Sequence, residues 1–150
     1  FLKIRESSKV KEKKSLMHSL ITMAPHDNSL NDENPKGVGE FGLEKTNPIP
    51  VYGIDNLPAY MDKLRYEYTS KSESKTKTYN PVIYVRTSDS DNTPIGSDKP
   101  ETDPVASSVT APNISGNIDV YNLYSLGGKK LAKIYLNSYS LHVSDKVPLV

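Results

Sequence analysis

The chain has no cysteine and no tryptophan, and its 150 residues include only two phenylalanines. Lack of cysteine excludes disulfides, thiolate nucleophiles and cysteine-ligated zinc. It leaves the compartment open, with the cytoplasm the favoured expectation. Hydrophobic residues make up 35% of the chain, below the roughly 45–50% usual for globular proteins even though that range also counts glycine. The core must therefore be small and drawn from a few segments. No apolar run approaches the ~18–20 residues of a membrane span. A net charge of +1 lacks the broad basic surface that nucleic acid requires, so a nucleic-acid partner is not expected. The first residue is Phe1 rather than methionine, as expected of a processed or trimmed product.

What is present is tyrosine, ten of them, together with eleven prolines. Tyrosine suits half-buried sheet faces, where the ring packs and the hydroxyl stays wet. The densest region is residues 118–139, two runs of aromatic and branched residues flanking Gly127-Gly128, the composition of a tight hairpin. With both glycines at the centre of the turn and at positive φ, Tyr121 faces Ile134, Leu123 faces Ala132 and Asp119 faces Leu136. That register gathers Tyr121, Leu123, Ala132, Ile134 and Leu136 on a buried face. Val120, Asn122, Tyr124, Leu131, Lys133, Tyr135 and Asn137 fall on the other face and are expected to be partly exposed.

Elsewhere the pattern gives shorter elements. Residues 1–14 hold six basic against two acidic side chains and read as a basic leader. Residues 15–24 carry Leu16, Leu20 and Met23 at helical spacing and end at Pro25. A second helix is expected over 57–66, with Leu57, Tyr60, Met61 and Leu64 on its buried side. Strands are expected over 82–87, 118–125 and 130–139, with an edge near 49–52. Residues 70–78 alternate Ser or Thr with Lys or Glu, as an edge strand or a link would. Residues 88–117 lose almost all apolar content and turn acidic, so they read as an insertion that leaves the sheet and returns. The fold class that follows is α+β: a basic leader, then one domain over 15–150 with a small antiparallel sheet, a C-terminal hairpin and one or two covering helices.

Motifs of chemistry are thin. Gly37-Val38-Gly39-Glu40-Phe41-Gly42 matches a dinucleotide fingerprint by letter, but a polar loop precedes it and Pro48 and Pro50 soon follow, where a strand and a helix are needed. Asp89-Ser90-Asp91-Asn92 opens like a calcium loop, yet proline stands where that loop needs its sixth-position glycine and twelfth-position glutamate. His18, His26 and His142 have no ligand spacing. Neither a cofactor nor a metal is expected. Asn113-Ile114-Ser115 fits a glycosylation acceptor.

Two blocks carry a resemblance. The first is Gly39-Glu40-Phe41-Gly42 with Asn47-Pro48-Ile49-Pro50-Val51. The second is Ile118-Asp119-Val120-Tyr121 followed by Ile134-Tyr135-Leu136. Together they resemble a family of small uncharacterised bacterial proteins, which implies a bacterial α+β protein and no particular activity. The residues themselves favour a non-catalytic protein-interaction module, of which a toxin-neutralising protein is one form, with Tyr124, Tyr135, Tyr139, Lys133 and Arg86 as contacts. The alternatives are a small hydrolase or transferase assembled from loops around residues 37–42 and His26, or an assembly component reaching out through 88–117. A pocket holding His26 or His142 with a carboxylate favours the enzyme; an exposed tyrosine-lined face favours the module.

Overall fold

The computed structural model describes residues 3–4, 32–69 and 77–149. The helix expected over 15–24, together with His18 and His26, lies outside the described residues.

Strands dominate. A three-stranded sheet takes the order β1-β3-β4, from Lys3–Ile4 (β1), Arg65–Thr69 (β3) and Lys77–Pro81 (β4). A four-stranded sheet takes the order β2-β7-β6-β5, from Ile49–Pro50 (β2), Ile83–Thr87 (β5), Asp119–Tyr124 (β6) and Lys130–Asn137 (β7). The broad class is α+β, but the larger sheet is mixed rather than antiparallel, because β2 runs parallel to β7 with Ile49 opposite Leu136. A long stretch of chain separates β2 from β7, so no tight turn forces them to run in opposite directions. Lys3 and Ile4, read as part of a charged leader, are a strand opposite Glu67 and Tyr66. Net charge carries no information about backbone pairing.

The β6–β7 register matches the expected one over five residue pairs. Asp119 faces Leu136, Tyr121 faces Ile134 and Leu123 faces Ala132. The turn itself differs. The Gly128 amide donates to the Ser125 carbonyl at 2.9 Å and the Ser125 amide to the Lys129 carbonyl at 2.8 Å. Of the two turn glycines, only Gly128 has a positive φ, 86°. This is a three-residue loop, Leu126-Gly127-Gly128, closed by a glycine in the left-handed region, not a two-residue turn with both glycines there. The extra residue shifts the register between Leu123 and Tyr124, so that Tyr124 faces Lys130. Leu131, assigned to the outer face, consequently joins the core.

That core holds Tyr121, Leu123, Leu131, Ala132, Ile134 and Leu136 from the hairpin. Against them pack Ile49, Val51, Tyr66 and the helix α1, Leu57–Met61. Leu57, Tyr60, Met61 and Leu64 are all buried, as their spacing requires. The helix is five residues rather than ten, preceded by a 3-10 turn over Ile54–Asn56. From Arg65 the pattern becomes Arg-Tyr-Glu-Tyr-Thr, whose period of two belongs to β3. A helix this short is unstable alone. Its packing and two tethers to the C-terminal segment hold it: the Tyr60 hydroxyl donates to the Lys146 carbonyl at 2.7 Å, and Lys63 Nζ donates to the Ser144 carbonyl.

Candidate functional site

The five expected contact residues go to two different places. Tyr124, Tyr135 and Lys133 stand on the second face of the hairpin, and residues 88–118 cover that face instead of leaving it. Val109, Ala111, Ile114 and Ile118 close an apolar patch over Val120 and Tyr135. Beside the patch lies a polar layer. The Asp91 carboxylate accepts from Asn122 Nδ2, from the Thr93 amide at 3.1 Å and from the Thr93 hydroxyl at 2.6 Å, with Lys130 Nζ at 3.8 Å. Lys130 in turn donates to the Thr93 carbonyl at 2.6 Å. The Tyr135 hydroxyl donates to Asp89 Oδ1 at 2.6 Å, and Lys133 Nζ to the Asp89 carbonyl at 3.1 Å.

Tyr124 and Tyr135 are therefore buried, at 1% and 8% exposure, and unavailable as contacts. Composition misjudged the segment because its polar side chains find partners on the sheet that no local pattern announces. Burial pushes the Asp91 carboxyl up, but the bonds from Asn122 and Thr93 and the charge of Lys130 outweigh it and hold it well below the usual carboxylate range. Burial, reinforced by the bond to Asp89, pushes the Tyr135 hydroxyl up. These groups tie the loop to the sheet.

Tyr139 and Arg86 go to an open site at the other end of the sheet. β7 ends at Asn137, and the Asn137 side-chain oxygen accepts from the Tyr139 amide at 3.0 Å. The Tyr139 ring lies against Gly116 so closely that a Cβ there would stand 2.8 Å from Cδ2. Gly116 also has a φ of 81°, so both space and backbone require glycine. The rest of the ring is bare: Tyr139 is 66% exposed, with Ile54 (62%) and Leu141 (53%) also projecting to solvent. Arg86 faces Tyr121 across β5 and β6, which makes Asp119 its diagonal neighbour on the same face. Arg86 Nη2 donates to Asp119 Oδ1 at 3.1 Å.

Tyr139 divides two hollows. The larger, about 480 Å³, is bounded by Gly53, Ile54, Arg86, Ser108, Asn117, Asp119, Ser138 and Tyr139. The smaller, about 220 Å³, is lined by Glu33, Pro35, Ser115, Asn137, Tyr139, Ser140 and His142 among others. Here His142 Nε2 lies 2.8 Å from Asp32 Oδ1. The same Asp32 oxygen accepts from the Asp145 amide at 2.9 Å, and the Asp32 carbonyl accepts from the Ser144 hydroxyl at 2.7 Å. Sequence spacing had no means of finding this pair, since 110 residues separate its members.

The loop around residues 37–42 serves the sheet, with the Gly42 carbonyl accepting from the Tyr135 amide at 2.9 Å. Among the described residues no three histidine or acidic side chains group as metal ligands, and no helix is long and apolar enough to cross a membrane. No family model, curated protein or solved structure matches the chain. Its function is argued from geometry alone.

Proposed function

We propose that the chain is a non-catalytic interaction module that meets a partner protein through the Tyr139 face. The observation that carries the reading is Tyr139 itself: a large aromatic held in place by Gly116 and Asn137 yet mostly exposed, with Ile54 and Leu141 beside it and Arg86 in the same cleft. Rigid exposed aromatics and arginine are the usual anchors of interfaces. Of the five contacts expected from sequence, the proposal keeps Tyr139 and Arg86. Toxin neutralisation and the bacterial family resemblance remain compatible with it. An assembly role through residues 88–117 is less favoured, because Val109, Ala111 and Ile114 of that segment pack on the chain's own sheet, although Ile95 and Val105 project to solvent.

A second reading has its own support, because a hollow holding His142 with a carboxylate favours a small hydrolase or transferase. Three features weigh against it. The hollow is smaller than the ~300–1,000 Å³ of most small-molecule sites. Asp32 also receives the Asp145 amide, so the pair clips the C-terminal segment in place. The Ser144 hydroxyl donates to the Asp32 backbone rather than to the imidazole.

The test compares Tyr139→Ala with His142→Ala. A partner captured from native lysate should bind Tyr139→Ala at least about fivefold more weakly, the 1 kcal/mol of an interface anchor. Thermal melting should hardly change. Undiminished binding by Tyr139→Ala, or a hydrolytic turnover that His142→Ala abolishes in a folded protein, transfers the assignment to the enzyme.

A further inference from the structure

We propose that the cleft between Tyr139 and the Arg86–Asp119 pair takes a neutral saccharide unit. The inference rests on the non-catalytic reading above and names the chemistry that the partner presents there. A pyranose ring has an apolar face of C–H groups and a rim of hydroxyls, each both donor and acceptor. A site for it needs a bare aromatic face and, around the edge, fixed groups of both kinds. Tyr139 provides the face, since Gly116 backs the ring and two-thirds of the residue is open to solvent.

The rim comes from Arg86, Asp119, Ser108, Asn117 and Ser138. Arginine has five N–H donors, of which the contact with Asp119 uses one. The carboxylate beside it supplies acceptors, one of which meets the Ser138 hydroxyl at a long 3.5 Å, and Ser108 and Asn117 supply both donors and acceptors.

Charge selects the ligand class. Arg86 and Asp119 neutralise each other at 3.1 Å, and among the described residues no other formally charged one bounds the cleft. A phosphate or carboxylate would have to displace Asp119 from Arg86, and an ammonium would have to displace Arg86 from Asp119. A neutral polyol competes with neither and bonds to the outer atoms of both. A purely apolar anchor would desolvate this polar rim without replacing its hydrogen bonds. At about 480 Å³ the cleft falls within the range of small-ligand sites.

The same sugar chemistry is offered by a free oligosaccharide and by a glycan carried on a partner protein, so the experiment has two arms. In the first, amide spectra of the labelled full chain are followed during titration with glucose, galactose, mannose and N-acetylglucosamine. At least one should give saturable shifts at Gly53, Asn117, Ser138 and Tyr139. Tyr139→Ala should raise its Kd at least about tenfold, while Tyr139→Phe, which keeps the ring, should stay within about twofold of the parent. Absence of saturable shifts with all four sugars, or tighter binding of glucuronate or glucose 6-phosphate, overturns the proposal.

In the second arm the captured partner is treated with glycosidases. Loss of capture places the saccharide on the partner. Full capture after glycosidase treatment, together with sugar shifts that vanish in Tyr139→Ala, assigns the cleft to free saccharide. Capture that survives deglycosylation but is lost in Tyr139→Ala, with no sugar shifts, removes the saccharide and leaves the protein-binding module standing. Capture and spectra both indifferent to Tyr139→Ala remove both.

Discussion

The two faces of the β6–β7 hairpin are buried by opposite means. On one, Tyr121, Leu123, Ala132, Ile134 and Leu136 meet a short helix and β2 in an apolar core. On the other, Asn122, Tyr124 and Lys130 are as inaccessible, at 1%, 1% and 3% exposure, but part of their cover is a hydrogen-bonded loop centred on Asp91. The apolar face gains from leaving water whatever covers it. The polar face gains only if each desolvated group receives a partner, and it becomes unfavourable when one is removed. The first kind of burial is forgiving of detail; the second depends on it.

The comparison is broken most severely from the apolar side. Ile134→Ala deletes fully buried methyl groups and should cost about 2–5 kcal/mol in urea unfolding. A loss below about 0.5 kcal/mol would mean that this face is not the core. Next comes Asp91→Ala, which strands Lys130 and Asn122 under the loop and should cost about 1.5–3 kcal/mol. Adding Lys130→Met should restore part of that loss, because replacing both members of a buried pair is far less harmful than removing one. If the double variant is as unstable as the sum of the singles, the two side chains are not coupled.

The pH dependence sharpens the same contrast. The Asp91 carboxyl titrates lower in the folded protein than its free value of 3.8. Its contribution is therefore present above that value and is lost as pH falls towards the folded one. The stability gap between the parent and Asp91→Asn should be constant above about pH 5 and narrow in stronger acid. A gap that widens on acidification contradicts the assignment. The smallest effect is expected from Tyr135→Phe, which removes only the bond to Asp89 at 2.6 Å. It should cost about 0.5–1.5 kcal/mol, with faster amide exchange near Asp89 while the Ile134 amide is unaffected.

The same contrast explains what could be read in advance. The alternation of residues 119–124 and 131–136 identifies the hairpin register and its core face, because apolar side chains with period two have one consistent solution. Leu57, Tyr60, Met61 and Leu64 are legible for the same reason at the helical period. The turn was misjudged by one residue, since a Gly-Gly pair suits both a two-residue and a three-residue loop, and Leu131 changed sides as a result. Burial of Tyr124 and Tyr135 was out of reach. It depends on Asp89 and Asp91 arriving from more than thirty residues away, with nothing in their composition to mark them as inward-facing. Arg86 and Tyr139 were picked in the sequence by residue type alone. Their meeting in one cleft depends on where β7 ends and on the close approach of Gly116, which are facts of three dimensions.

Val82 joins the two sheets. It is the only residue between β4 and β5, so a single run of backbone leaves the three-stranded sheet and enters the four-stranded one. Its side chain is half-buried against the main core. The joint is thus a clamped hinge. The main core also holds Tyr66 of β3, whose hydroxyl accepts from the Leu126 amide at 2.9 Å, so the smaller sheet is tied to the larger at a second point. Pulling on either sheet therefore loads the other, and the two should yield together as one mechanical body.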